Sequence, residues 1–296
     1  MKIAYIILAH KLPEQLVRLV RKLNDDDARF FIHIDKRTAD PIRRRMVEPL
    51  STCKNIEYLK RHAVNWGDFG CVEATLEGLK QAAASGGSYD YTILLTGQCY
   101  PIKSNAQIKE RLGAHRGGSF IEYFPLPHEP WQNENGGLDR LNFYYVNWRG
   151  RRRSLFKRAL LSLPPSWLAL VKQSPIWRLP PADLDLFGGS AYWCLTRDCV
   201  EYINDFARQN RKFVDFFKYS LIPDEILFQT ILLNSPLKDR MINDNLRYIL
   251  WSSSSHPYNL GREDASRFVN SDKLFARKFD TTVDSEVLDL IDQATA

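Results

Sequence analysis

The chain has 296 residues, 44% of them apolar and 12% aromatic, which is enough for one large core or two closely joined lobes and too apolar for a disordered chain. A formal net charge of +6 favours an anionic partner, whether nucleic acid, a membrane surface or the diphosphate of a sugar nucleotide. No stretch approaches the roughly 18 unbroken apolar residues of a membrane span.

The opening run Ile3 to Leu8 has the length and β-branching of a buried strand, and Leu16, Leu19, Val20 and Leu23 follow Pro13 at helical spacing. Phe30 to Asp35 reads as a second strand ending in an acid. Together they form a βαβ opening, whose parallel strands place Ala9-His10-Lys11 and Asp35-Lys36 at the sheet edge where α/β folds bind ligands. Ile56 to Leu59 is the next strand, a helix is expected from about Asp68 to Ala84, and Tyr91 to Leu95 reads as a central strand ending in the polar turn Thr96-Gly97-Gln98-Cys99-Tyr100-Pro101.

In the second half, strands are expected at Ser119 to Phe124 and Ala191 to Thr196, helices near 197–208, 213–220 and 223–233, a last strand near Leu246 to Trp251 and a C-terminal helix over about 283–293. The stretch from Trp148 to Pro181 is less regular. There Arg149, Arg151, Arg152, Arg153, Lys157 and Arg158 precede an apolar segment broken by Pro164-Pro165 and carrying Trp167 and Trp177. Two readings of residues 149–177 stand: a face that lies on an anionic membrane, or a basic surface packed near a cleft.

The phosphate-binding patterns that a βαβ opening invites are absent: neither GxGxxG nor GxxxxGK[ST] occurs, and HExxH and GxSxG are missing too. The arginine cluster has no RNP, helix-turn-helix or zinc pattern beside it, which disfavours nucleic acid as the partner. Asp183-Leu184-Asp185 is an Asp-x-Asp, and it follows a proline loop rather than a strand. Cys53, Cys71, Cys99, Cys194 and Cys199 are odd in number and lack metal-ligand spacing, so reduced, mostly buried thiols are expected. Met1-Lys2 leads straight into a run too short for a signal sequence, which gives a cytoplasmic expectation.

Pro223-Asp224-Glu225 has two readings as well. A proline followed by acids suits the positive end of a helix, and an acid at that place suits a catalytic base. In chain order the segments Leu94 to Ser104, Leu186 to Trp193, Pro223 to Thr230 and Leu274-Phe275-Ala276-Arg277-Lys278-Phe279-Asp280 resemble the core-2/I-branching β-1,6-N-acetylglucosaminyltransferases, a family related to the peptide O-xylosyltransferases. The resemblance runs from Ala4-Tyr5-Ile6 to Lys278-Phe279-Asp280.

It implies an α/β, GT-A-like glycosyltransferase fold with a Rossmann-like mixed central sheet flanked by helices. It also implies one glycosyltransferase domain over 1–296, divided into a nucleotide-binding half (about 1–118) and an acceptor and catalytic half (about 119–296). The activity implied is inverting transfer from a UDP-sugar, GlcNAc or xylose, to a glycan or glycolipid hydroxyl without a metal ion or other cofactor. Residue by residue, Glu225 matches the family's base, Lys278 and Arg247 its diphosphate contacts, Asp35 an acid near the uridine, and Glu122 and Arg140 acceptor-sugar positions. Ser190 lies in the Gly188-Gly189-Ser190 turn, where backbone can approach a sugar. Cys99 stands where relatives often carry an acid, so that acid's role does not carry over. The animal enzymes' membrane anchor, stem and cysteine framework have no counterpart, which suggests a bacterial-type enzyme of surface polysaccharide or glycolipid assembly, cytoplasmic or peripheral to the inner face of the membrane. The rival from another class is a non-catalytic carbohydrate- or nucleotide-binding protein of the same fold.

Overall fold

The computed structural model describes the chain except residues 87–88, 149–150, 175, 182, 253–255 and 296. Four strands open it, β1 (Ile3–Ala9), β2 (Ala28–Ile34), β3 (Ile56–Tyr58) and β4 (Tyr91–Thr96), with the helices α1 (Pro13–Leu23), α2 (Asp40–Val47) and α3 (Gly70–Ala84) between them. Then come β5 (Cys99–Pro101), α4 (Asn105–Gly113), β6 (Ser119–Ile121), β7 (Phe124–Pro125), α5 (Asp139–Asn142), the hairpin β8 (Tyr145–Trp148) and β9 (Arg151–Ser154), and two short helices, α6 (Lys157–Leu161) and α7 (Pro165–Val171). The last part holds β10 (Phe187–Gly188), β11 (Trp193–Thr196), α8 (Arg197–Gln209), α9 (Arg211–Phe216), α10 (Leu227–Leu233), β12 (Met241–Ile242), β13 (Arg247–Ile249), α11 (Ala265–Val269), β14 (Phe275–Arg277) and α12 (Glu286–Ala294).

Seven strands form one sheet in the order β12-β6-β11-β4-β1-β2-β3. β1 runs parallel to β2 and β4, while β11 is antiparallel to both β4 and β6, so the sheet is mixed. β4 is its middle strand, as its apolar run led one to expect. Successive strand residues face opposite sides. Ile3, Tyr5 and Ile7 of β1 accordingly pack with Leu16, Leu19 and Val20 of α1 and with Leu288 and Ile291 of α12. Ala4 and Ile6 pack on the other face, with Val72 and Leu79 of α3 and Ile203 of α8. Both faces are covered, which is why β1, β2 and β4 read as mostly apolar runs rather than alternating ones.

A second sheet, β13-β14-β5, is built from three-residue strands. It sets Arg277 opposite Cys99, beside the turn that leaves the central strand. Several element boundaries differ from the sequence reading. The strand expected over Ser119 to Phe124 divides after Ile121, and Phe124 pairs in a separate sheet with β10. Leu246 to Trp251 is not the last strand, because β14 follows it. The helix expected over 223–233 is a 3₁₀ turn at Pro223–Glu225, interrupted at Ile226 (φ −132°) before α10 begins. Among the described residues no helix is long and apolar enough to cross a membrane.

Candidate active site

The carboxyl ends of β1, β2 and β4 open at one edge of the sheet, where unpaired backbone and short loops meet a ligand most readily. His10 and Lys11 follow β1, Asp35 follows β2 and Gly97 follows β4. The segment after β14 is tied to this edge: Gln15 Nε2 donates to the carbonyls of Gly97 (2.8 Å) and Phe279 (3.2 Å), and Gln98 Nε2 donates to Phe279 (3.0 Å). Asp35 is buried and accepts from the backbone of Arg37 (2.8 Å), the Arg37 guanidinium (3.0 Å) and the backbone of Val64 (3.3 Å). Burial alone would raise its carboxyl, yet the Arg37 donors outweigh that and hold it below the usual range, so it is an anion at neutral pH.

Cations crowd the same edge. Burial, then the like charges of Lys11 and Arg277, push the Lys278 ammonium below its usual value. Lys11 takes the carboxylate of Asp280 at 2.7 Å. The Arg277 guanidinium lies 4.6 Å from the centre of the Tyr192 ring, and its Nε is buried without a hydrogen-bond partner. His10 is pulled down by burial and by Lys11, so its imidazole is neutral at pH 7. Like charges held this close, with an unpaired donor among them, form a site suited to an anion such as a diphosphate.

Arg247 is buried beside the same Tyr192 ring. It is 4% exposed, and its guanidinium donates to the carbonyls of Asn245 (2.7 Å) and Leu94 (2.9 Å) while stacking 4.6 Å from the Phe275 ring. The bond to Leu94 ties β13 to the central sheet, while Arg247 Nε is buried without a hydrogen-bond partner and the guanidinium lies 5.8 Å from the centre of the Tyr192 ring that Arg277 also approaches. Arg277 stands as a second arginine here, and its charge reaches both Lys278 and Glu225. The sequence did carry a signal in the doublet Arg277-Lys278. Neighbours within a strand point apart, but β14 ends at Arg277 and so does not force its successor to the other face.

On the acidic side, Glu225 closes the 3₁₀ turn and its side chain remains 25% exposed. Arg140 Nη1 donates to it at 2.7 Å, and Arg140 also holds Glu134 while stacking 3.6 Å from the centre of the Trp131 ring. Burial raises the Glu225 carboxyl above its ordinary value although Arg140 opposes the shift. Glu122 is nearby: burial, with the charge of Glu225 adding to it, raises its carboxyl too, and Asn245 Nδ2 donates to it. The turn at Gly188-Gly189-Ser190 joins the two acids. Gly189 N donates to the Glu225 carbonyl at 2.9 Å, and a Cβ at Gly189 would overlap the carbonyl oxygen of Glu122. Ser190 Oγ accepts from Tyr192 N at 3.3 Å. The fold thus gathers Glu122, Arg140, Ser190 and Glu225 on one side and Lys278 with Arg277 on the other.

Asp224 does not cap a helix. Its Oδ1 is buried without a partner, and burial, then the charge of Glu225, push the carboxyl up to about 7. The unfolded value is about 4, so between these limits the folded protein keeps a proton that the unfolded chain has released. Stability on this account falls as pH rises from about 4 to about 7 and is level above. Asp224→Asn removes the term, and urea midpoints should show the variant more stable than wild type at pH 8 and equal to it near pH 4. A difference that does not change with pH would contradict the assignment. Cys71 lies in the same acidic surroundings, and burial followed by the Asp224 charge raises its thiol well above the ordinary range, so it is not a nucleophile. Cys99 is buried and accepts from Thr96 N at 3.4 Å. The exposed pair Asp183 and Asp185 stands apart from any third ligand, and among the described residues no group of three or more His, Cys, Asp or Glu could hold a metal ion.

The model of the Core-2/I-Branching enzyme family matches residues 3–269. The chain belongs to the core-2/I-branching enzyme family. It is similar to Xylosyltransferase 2 of Rattus norvegicus, with 27% identity over 98% of this chain and 33% of that protein. Xylosyltransferase 1 of Homo sapiens is 25% identical over 98% of this chain and 30% of that protein. The chain therefore spans about a third of the length of the curated relatives it matches. Among solved structures, TarS 1-349 of S. aureus in complex with UDP-GlcNAc is 17% identical, covers 62% of this chain and 51% of that one, and has a TM-score of 0.29, a likeness too slight to add to the family assignment. Within the core-2/I-branching family frame, what local pattern alone did not single out is Arg277 and the Glu134–Arg140–Glu225 ion-pair chain, since such pairings leave no mark on local periodicity.

Proposed function

We propose that this core-2/I-branching chain is the catalytic domain of an inverting glycosyltransferase that moves a sugar, GlcNAc or xylose, from a UDP-sugar to a glycan or glycolipid hydroxyl without a metal ion. The observation that carries the reading is the pairing of Glu225, a half-buried carboxylate of raised pKa that is still open to the cleft, with Arg277, whose charge reaches both Glu225 and its neighbour Lys278. In this mechanism the acceptor oxygen forms a bond to the anomeric carbon, its proton passes to a Glu225 carboxylate oxygen, and the bond from that carbon to the β-phosphate oxygen breaks toward UDP. The electron pair that leaves with UDP is met by Arg277 and Lys278, fixed donors that need no reorganisation during the step.

Asp35, anionic at the end of β2, is assigned to the uridine, and Glu122, Arg140 and Ser190 to the acceptor. Arg140 has a second part here, since its bond to Glu225 orients the base and limits how far its pKa rises. Residues 1–296 act as a single glycosyltransferase domain, with nucleotide contacts from about 1–118 and the base and acceptor contacts from about 119–296. The two cations from β14 and its end are the exception to that division. Xylose stays among the donors because the relatives are named xylosyltransferases. The pathway is assembly of a surface polysaccharide or glycolipid, and the five free cysteines suit a reducing compartment.

A thermal-shift screen in EDTA tests the donor site, since a ligand bound by the native state alone raises the melting temperature. UDP and UDP-sugars should raise it while GDP, CDP and dTDP leave it nearly unchanged. A shift that appears only when Mn²⁺ replaces EDTA, or one that is equal for all the nucleotides, contradicts the proposal.

A further inference from the structure

Seven of the fourteen large apolar side chains that stand exposed among the described residues lie between Leu155 and Leu179, including Phe156, Leu161, Trp167, Leu170 and Leu179 itself. α7, with the sequence PSWLALV, buries none of its residues. The segment is nevertheless anchored at its base. Phe143, Tyr145 and Leu160 form a small core with Leu163, Trp177 and Leu221 packed against it, and Lys157 pairs with Asp139 at 2.8 Å. So many exposed large apolar side chains gathered in one anchored segment mark an interaction site rather than single scattered exposures.

Charge narrows the partner. Between Asp139 and Asp183 the sequence contains no acidic residue and nine basic ones, in a chain whose acids and bases are otherwise nearly balanced at 35 and 41. Arg153, Arg158 and Lys172 are exposed within or beside the apolar surface. Arg149 lies outside the described residues, as do the side chains of Arg151 and Arg152. A second copy of this chain would set two carboxylate-free basic faces against each other. An anionic bilayer instead accepts leucines and tryptophan among its headgroups and lysines and arginines at its phosphates.

We propose that residues 155–179 form a docking face for an anionic lipid bilayer, with the exposed side chains of α6 and α7 inserted at the headgroup level. The face is continuous with the base: Leu221 of the anchoring core donates its N–H to the Arg140 carbonyl at 2.9 Å, and Arg140 holds Glu225. Docking therefore brings the acceptor side of the cleft to the membrane surface, a consequence that rests on the transferase reading, whereas the docking itself does not.

Vesicle sedimentation tests it with the intact chain. Wild type should pellet with phosphatidylcholine vesicles containing about 30% phosphatidylglycerol, and bind pure phosphatidylcholine at least about tenfold more weakly. Trp167→Ser/Leu170→Ser and Arg153→Gln/Arg158→Gln/Lys172→Gln should each weaken binding to the anionic vesicles by about tenfold or more, with melting temperature and UDP binding unchanged. Raised salt should release the wild type, as it screens the cationic contribution. Absence of wild-type binding to anionic vesicles, or binding by both variants equal to that of wild type, overturns the proposal. So does a wild-type dimer in light scattering that the apolar variant dissociates, if no vesicle binding accompanies it. UDP binding measured on the same samples separates this outcome from failure of the donor site.

Discussion

Glu225→Gln is expected to lower transfer by about 10²–10⁴-fold while UDP binding stays near the wild-type value, because the amide keeps the size of the side chain and cannot take a proton. The geometry sharpens the expectation. Arg140 Nη1 lies 2.7 Å from the Glu225 carboxylate and can donate equally to the amide oxygen of glutamine, so the loop keeps its anchor and the loss falls on turnover. The raised pKa of Glu225 adds a pH signature: transfer by the wild type should fall on the acid side at a pH above that of an ordinary glutamate, as the base becomes protonated. Steady-state rates with a fixed UDP-sugar, together with calorimetric UDP affinities, give both numbers. A Gln variant with near-normal turnover would return Pro223-Asp224-Glu225 to the role of a structural turn.

The second large effect is expected at the cations. Arg277→Ala and Lys278→Ala should each cost on the order of 10²–10³-fold in turnover, the typical loss when one donor to a developing negative charge is removed. Both should also weaken UDP binding, since the diphosphate is charged before transfer as well as after it. Arg247 provides the contrast. With its donors on the carbonyls of Leu94 and Asn245, Arg247→Met should show up mainly as lost stability, because two buried carbonyls lose their partner at about 1–3 kcal/mol each. Calorimetry and melting curves on the three variants distinguish the two arginines. Normal UDP affinity in Arg277→Ala, with affinity lost in a well-folded Arg247→Met, would restore the assignment that sequence reading made.

Much of the fold is legible because burial on both faces leaves a simple mark. β1 is an unbroken apolar run and β2 and β4 are mostly apolar, and α1 shows a buried stripe at Leu16, Leu19, Val20 and Leu23. β5, β13 and β14 are three residues each, too short for a period to show, and β14 pairs with β5 across more than a hundred residues of chain. The same distinction governs the site. Glu225, Glu122, Ser190 and Lys278 lie in motifs whose order points to them, and the fold brings the three acceptor-side residues together through the Gly189 turn. Arg247 is harder to read, because an arginine in a short strand looks alike whether its donors face a ligand or the interior carbonyls of the next sheet. The tertiary arrangement adds what local pattern lacks, as where it sets Arg140 on the Glu225 carboxylate.

Configuration of the first-formed product tests the central claim most directly. With an α-linked UDP-sugar, a glycoside acceptor panel and EDTA throughout, proton NMR of the newly formed linkage should show the β anomer, because one displacement assisted by Glu225 inverts the anomeric centre. An α-linked product, or formation of product only after a divalent cation is restored, would contradict the single-displacement, cation-free account built on Glu225, Arg277 and Lys278.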